Sequence, residues 1–205
     1  MRTITKSMPP DSLEQFNRTR HTDWSDIHQP ENKKVYEDCL DKSIEDQHNL
    51  CGYTEIALMP ATRHIDHYIK RDFDPQLTFD WMNMIAAVKD YRFGADWKDK
   101  LIKKKDYDKN IHRYQNILNP IVDEMNDRFI FFTDGTIEPS DSNDSTAANT
   151  IKIFNLNESS LKSRRKDIMQ DVRNMAEGGI DKDSILNYLK RDGFISAIEY
   201  ELSQI

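Results

Sequence analysis

The apolar residues of this chain follow two patterns, and the order of these patterns constrains the fold more than any other feature. Helical spacing occurs in residues 33–49 and again over residues 161–202, where apolar residues recur every three or four positions. Short apolar runs that end at turn residues lie between them, which is typical of strands. Helices and strands grouped in this order predict an α+β fold.

Several segments between the helical regions carry predictions of their own. Residues 50–59 are predicted to form a hairpin strand pair broken by proline, and residues 64–71 a strand that runs out into a loop. Residues 81–91 fit either a helix or a short buried run. A second hairpin is predicted around the Asp134-Gly135 turn. Residues 139–150, rich in Ser, Asn, Asp and Thr, are expected to be an exposed loop.

The chain is predicted to have two regions. Residues 1–118 would hold an N-terminal helix and the core, and residues 119–205 the second hairpin, the loop and a C-terminal helical extension. The helices from Leu161 onward are the candidate surface for docking a partner, by elimination. Gly178-Gly179 is the predicted stop of the first of these helices.

Charge and cysteine content limit the partners and the compartment. The net charge is −7, so contact with a phosphate backbone must be local or shared with a partner. Two cysteines are too few for a disulfide framework. No apolar stretch is long enough for a signal peptide or a membrane span. We therefore expect a cytoplasmic protein without membrane contact.

The stretch 64-HIDHYIKR-71 is the strongest candidate for chemistry. On a strand His64 and Asp66 would share a face, and His67 would join them only if the strand bends at its exit. A carboxylate is a hard ligand for Mg²⁺, and a neutral imidazole is a base suited to activating water. Phosphodiester hydrolysis needs this pairing. The same string also fits an ordinary surface, so it does not decide the function alone.

Further motifs along the chain give this stretch a context. In their order and spacing they resemble the HNH endonucleases of the PtuB type, the nuclease subunit of Septu antiphage systems, which also occurs beside certain retrons. The motifs are the opening MRTITKSMPPDSLEQF, 50-LCGYTE-55, 65-IDHY-68, 77-LTFDWMNMIAAVK-89, 118-LNP-120, 134-DGTI-137 and 153-IFNLNESSLKSRR-165.

The resemblance implies an HNH (ββα-metal) nuclease core that grips one divalent cation, Mg²⁺ with Mn²⁺ as the alternative. His67 matches the general base, Asp66 the acidic metal ligand before it, and Asn83 the asparagine that holds the base in place. The family's last histidine is missing from 94-GADWKDK-100. Asp96 is the expected substitute because a carboxylate also binds hard cations, with Asp99 as the fallback.

The family's zinc site is also altered. In the family, paired cysteines often bind a structural zinc ion. Here Cys51 is the only cysteine in 51-CGYT-54, and no second pair follows. A structural zinc needs about four ligands, so we predict none here. Tyr53, Tyr91 and Trp97 are expected to pack in its place, with Cys51 as a small buried hydrophobe.

Contacts to nucleic acid are expected from His64 and from a basic run beyond the predicted metal helix, for which a solvated helix face is the plainer explanation. The run comprises Lys98, Lys100, Lys103, Lys104 and Lys105.

The resemblance predicts the effector of an antiphage system that cleaves DNA or host transfer RNA when a PtuA-like ABC-type ATPase releases or activates it. A retron reverse transcriptase with its RNA–DNA is a further expected partner. One alternative is a catalytically inactive subunit that stabilises the ATPase complex, and another is a plain nucleic-acid-binding module.

Overall fold

The computed structural model describes residues 1–21, 23–104 and 114–205. Helices and short antiparallel strands are combined in one fold, so the α+β prediction is confirmed. None of the described helices has the length and apolar character needed to cross a bilayer. The helices are α1 (Asp11–Asn17), α2 (Lys33–Asp46), α3 (Gly94–Leu101), α4 (Ser145–Ile153), α5 (Ser159–Glu177), α6 (Lys182–Leu189) and α7 (Ile195–Gln204), and the strands are β1 (Arg63–His67), β2 (Met84–Val88), β3 (Phe129–Phe131) and β4 (Ile137–Pro139).

The centre of the fold is an antiparallel ribbon of β1 and β2, which pairs Asp66 with Ile85 and His67 with Met84. All five residues of β2 are buried, because α2 and α3 both pack against this strand. A strand buried on both faces is a continuous apolar run without alternation. The choice left open for residues 81–91 is thereby decided: residues 84–88 form a strand, preceded by a short 3₁₀ turn, Trp81–Asn83.

A tight turn after α2 closes against the ribbon. Leu50 and Ala57 form one isolated antiparallel bridge, so the predicted strand pair over residues 50–59 is reduced to a single bridge. Gly52 donates its N–H to the carbonyl oxygen of Ala86 at 3.0 Å. A Cβ at Gly52 would lie 2.5 Å from Cγ2 of Ile85, so only glycine allows the turn to lie this close to β2.

The second hairpin, β3–β4, turns at Gly135 as predicted. Gly135 has φ +83°, and a Cβ there would lie 1.9 Å from the carbonyl oxygen of Lys162 on α5. Arg165, which is buried, donates through Nε to the carbonyl oxygen of Gly135 at 2.8 Å. The turn is thus held directly against α5, whose end at Glu177, before Gly178, agrees with the predicted helix stop.

The prediction of an exposed loop over residues 139–150 is wrong, because α4 begins inside it. Asp144 caps this helix by accepting a hydrogen bond from the N–H of Ala147 at 2.9 Å. Small polar residues therefore mark a helix start here as well as a turn. Ala147, Thr150 and Ile151 are buried, so α4 contributes to the core.

The two predicted regions share one core, since a single cluster of buried hydrophobic side chains extends from Met1 to Leu202. The buried ring of Tyr53 stacks on Phe154, with the ring centroids 4.5 Å apart. Cys51 is buried as expected. Tyr91 is 80% exposed, so the prediction that it packs in place of a structural zinc site is wrong.

Candidate active site

A cleft of about 470 Å³ opens beside the ribbon and α3. Strand β1 lines it with residues 64–67, and α3 lines it with Asp96 and Asp99. Trp24, from the segment before α2, closes one side. The residues that matter for chemistry here are His64, Asp66, His67, Arg71, Asp96 and Asp99. The tertiary structure therefore brings together the predicted base and both predicted metal ligands.

His67 is the last residue of β1 and is only 6% exposed. Its Nε2 lies 2.8 Å from the carbonyl oxygen of Thr78. A carbonyl oxygen only accepts hydrogen bonds, so Nε2 carries the ring proton and Nδ1 holds a free lone pair. No hydrogen bond to Nδ1 is formed within the described part of the chain. The edge of the ring packs against Trp24, with the ring centroids 4.5 Å apart.

Burial lowers the pKa of His67 to about 4. The Thr78 carbonyl and the Asp66 carboxylate oppose this shift, whereas the charges of Arg71 and Lys98 add to it. The imidazole is therefore neutral at physiological pH. A neutral ring with a fixed tautomer and a free Nδ1 can accept a proton from a water or hydroxyl group in the cleft.

Asn83 holds the loop that orients His67. Its Oδ1 accepts from the N–H of Ile69 at 2.8 Å, and its Nδ2 donates to the carbonyl oxygens of Ile69 at 2.9 Å and Leu77 at 3.2 Å. The chain leaving β1 is thereby tied to the chain just before Thr78. Asn83 thus supports the base through the backbone and does not bond the imidazole itself.

Asp66 is almost fully buried and is already paired. Its Oδ2 accepts hydrogen bonds from the hydroxyl of Tyr53 and, at 2.7 Å, from the ammonium of Lys98. Burial raises the pKa of Tyr53 well above its usual value, and the Asp66 carboxylate raises it further. Tyr53 therefore remains protonated and remains a donor.

Lys98 points into the protein and is fully buried. The structure thus differs from the expectation that Lys98 contacts nucleic acid, because its Nζ does not reach the surface. The reason is the packing of α3, which buries Gly94, Ala95 and Lys98 on its inner face. This spacing on one face of a helix was the available sequence signal.

The rest of the basic run lies outside the cleft. Lys100 is exposed, with Nζ 4.4 Å from the centroid of the Trp97 ring. Lys103 is exposed, and Lys104 donates to the carbonyl oxygen of Asp72. Lys105 lies outside the described residues. His64 lines the cleft, and its Nδ1 is buried without a hydrogen-bond partner among the described residues.

The donor set does not fit a divalent cation in this arrangement. Asp96 and Asp99 line the same cleft as Asp66, but the described residues contain no cluster of three or more His, Cys, Asp or Glu placed to hold a metal. Oδ2 of Asp66 bonds to Lys98, and Oδ1 of Asp99 lies 3.4 Å from the same ammonium. Burial raises the pKa of Asp99, which Lys98 partly offsets.

Two groups at this site had not been predicted. The Thr78 carbonyl sets the tautomer of His67, and nothing in the sequence marks a backbone oxygen for this role. Arg71 is exposed at the cleft, with its guanidinium carbon 5.6 Å from the Trp24 ring centroid. The pair of cations at the end of 64-HIDHYIKR-71 was the available signal for Arg71.

The chain matches no protein-family model and no curated protein sequence.

Proposed function

We propose that this protein is a nuclease of the HNH type with His67 as its general base. The observation that carries the proposal is the state of that histidine: a buried, neutral imidazole whose Nε2 is fixed by Thr78 and whose Nδ1 is free. The order of elements supports it, since β1 ends at His67, Asn83 precedes β2, and α3 follows and packs against β2. This is the ββα order that the resemblance implies.

The chemistry assigned to the chain's own residues is proton transfer and substrate placement. His67 takes a proton from the attacking water or hydroxyl through Nδ1, and positioned bases of this kind contribute about 10²–10⁴-fold to a rate. Arg71 presents its guanidinium beside the Trp24 ring. A planar guanidinium matches a phosphate group, and an indole offers a stacking surface for a base. No step is assigned to a metal, because the donor set does not fit one.

We further propose that the substrate is DNA or host transfer RNA and that the protein is the effector of a Septu-type or retron-type antiphage system. The net charge of −7 supports a partner that completes the nucleic-acid groove. A PtuA-like ABC-type ATPase fits that role, with a retron reverse transcriptase and its RNA–DNA as a further partner. The helices from Leu161 onward are the proposed surface for docking this partner.

A second candidate function is a catalytically inactive subunit that stabilises the ATPase complex. One observation favours it: the Asp66 carboxylate, the predicted metal ligand, is neutralised by Lys98. The intact His67–Thr78 and Asn83 contacts favour the nuclease.

Scission of labelled DNA and transfer RNA by the protein with its neighbouring ATPase tests the proposal. We expect His67→Ala to reduce the rate at least about 100-fold, the loss typical of removing a general base. His48→Asn is the matched control, because His48 is exposed and has φ 54°, which asparagine tolerates. Equal scission by wild type and His67→Ala would exclude His67 as the base. Salt-sensitive binding without any scission would favour a binding module.

A further inference from the structure

The ammonium of Lys98 is enclosed by oxygen atoms from the end of β1. Nζ donates to Oδ2 of Asp66 at 2.7 Å, to the carbonyl oxygen of His67 at 2.7 Å and to that of Tyr68 at 3.0 Å. An ammonium has three N–H groups, so all its donors are in use. The rings of Tyr53 and Tyr68 lie beside it, with their centroids 5.7 and 6.0 Å from Nζ.

We propose that the Lys98 ammonium is the built-in cation of this site: it takes the place of a divalent metal between Asp66 and α3, and it positions His67. This inference rests on the proposed nuclease function for the reaction that it serves. Lys98 is a positioning residue and does not touch the substrate, because its side chain is fully buried.

The distances fit an ammonium and leave no room for a metal. Oxygen ligands lie about 2.0–2.1 Å from Mg²⁺ and about 2.3–2.6 Å from Ca²⁺, whereas the three oxygens lie 2.7–3.0 Å from Nζ as in hydrogen bonds. A divalent cation would have to displace Nζ from Asp66. It would also be repelled by a charge that remains attached to α3, since like charges repel strongly away from water.

The same contacts also hold the backbone of the base, His67. Thr78 holds the ring of His67 through Nε2. Lys98 holds the backbone of His67 and of the next residue, Tyr68, and Asn83 holds Ile69. Three consecutive residues are thereby anchored at the point where β1 ends. A lysine bound in this way provides a positive charge and rigidity without an exchangeable ion.

The side chain of Lys98 is packed within the core of the protein. Lys98 lies on the inner face of α3, beside Ala95 and one turn before the buried Ile102. The side chain cannot leave this position without opening the contact between α3 and the ribbon. A buried ammonium is tolerated only when paired and fully hydrogen-bonded, and Asp66 with the two carbonyls meets that requirement.

Paramagnetic broadening by Mn²⁺ tests the inference on the intact protein. In a nitrogen-labelled sample freed of metal by EDTA, added Mn²⁺ broadens signals of nuclei close to a bound ion. We expect the His67 ring signals of the wild type to broaden no more than those of the exposed His48. Selective broadening of His67 in the wild type would overturn the inference. This measurement needs no variant, so it stands even if the substitutions below prevent folding.

Replacement of the lysine should reverse the result. Lys98→Ala removes the ammonium and leaves Oδ2 of Asp66 bonded only to the Tyr53 hydroxyl. We therefore expect Mn²⁺ to broaden His67 selectively, with at least tenfold tighter binding than in the wild type. Lys100→Ala is the matched control, because it removes an exposed cation from the same helix. No gain of Mn²⁺ binding in a folded Lys98→Ala protein would count against Lys98 as the occupant of a metal position.

Cleavage after EDTA treatment tests the built-in cation separately from the proposed nuclease function. Scission that persists in EDTA and is lost in His67→Ala supports both. Scission that stops in EDTA and returns with Mg²⁺ or Mn²⁺ overturns the built-in cation and leaves the nuclease intact. If no scission occurs under any condition, the nuclease proposal fails, and the broadening of His67 still decides whether Lys98 excludes a metal.

Discussion

The ammonium of Lys98 lies 2.7 Å from Oδ2 of Asp66, and the two side chains are 0% and 9% exposed. The pair joins α3 to the end of β1 across 32 positions of sequence. Each charge is buried only because the other is present, since an isolated buried charge is far more costly than a buried pair. Loss of either member of this pair should therefore destabilise the site region.

Removal of one member of the pair should destabilise the protein strongly. We expect Asp66→Asn to lower the free energy of unfolding by about 3–5 kcal/mol, because the buried ammonium loses the carboxylate at 2.7 Å and keeps only that of Asp99 at 3.4 Å. The double variant Asp66→Asn/Lys98→Met should lose less than the sum of the single losses, by about 1–3 kcal/mol. Urea unfolding measures the two single variants, Asp66→Asn and Lys98→Met, and the double variant. Asp72→Asn, an exposed neighbour in the cleft, should change stability by less than about 0.5 kcal/mol. Strictly additive losses would show that the two charges do not act as a pair.

Asn83→Ala should loosen the loop that carries Thr78. Three hydrogen bonds to backbone groups are lost, which corresponds to about 2–4 kcal/mol of unfolding free energy at a buried site. Hydrogen exchange at the amide of Ile69 should accelerate more than the global loss explains. Asn17→Ala is the control, because Asn17 makes one exposed bond to the Phe79 carbonyl. Unchanged hydrogen exchange at Ile69 would show that Asn83 does not hold this loop.

The depressed pKa of His67 predicts how stability depends on pH. Between pH 6.5, its ordinary value, and about 4, its value in the fold, the unfolded chain binds a proton that the native protein excludes. Stability should therefore fall as the pH is lowered through this window, by about 2–3 kcal/mol, and then level off below pH 4 as far as this residue is concerned. Urea unfolding at several pH values measures the slope. His67→Gln keeps a hydrogen-bond donor for the Thr78 carbonyl and should remove the contribution of His67 to this slope. An unchanged slope in His67→Gln would contradict the low pKa of His67.

Lys6 should produce a second slope at high pH. Burial lowers its pKa to about 7, opposed by the Asp46 carboxylate. Its Nζ lies 3.2 Å from the centroid of the Trp81 ring and donates to the carbonyl oxygen of Met84 at 3.0 Å. Between about pH 7 and 10.5 the unfolded chain holds a proton that the native protein has lost. Stability should therefore rise with pH in this window, by about 3–5 kcal/mol.

Lys6→Met should abolish that rise, and Lys33→Met, at an exposed position, should leave it in place. The fluorescence of Trp81 provides an independent measurement, because loss of the proton removes a cation from the face of its indole ring. A rise in stability that persists in Lys6→Met would assign the slope to another group.

Local patterns predicted part of the fold well. The helical stripe in residues 33–49 became α2, and the Asp134-Gly135 turn became the β3–β4 hairpin. Both depend on interactions within a few residues, namely one apolar helix face and a glycine at positive φ. The segment before α4 was misjudged because Asp, Ser and Thr favour turns and helix caps alike. Only the packing of Ala147 and Ile151 decides between these outcomes.

The amino-acid pattern was enough to predict that Asp66 and His67 lie on one strand near its exit, that Asn83 belongs to the same site, and that acidic residues outnumber basic ones, 36 to 29. The groups that surround these residues follow from long-range packing. Lysine is a residue type usually found at the surface. Lys98 is instead an internal cation because Asp66 and the carbonyl oxygens of His67 and Tyr68 meet it across the fold. Burial of a charge depends on partners that are distant in sequence, so no local pattern determines it.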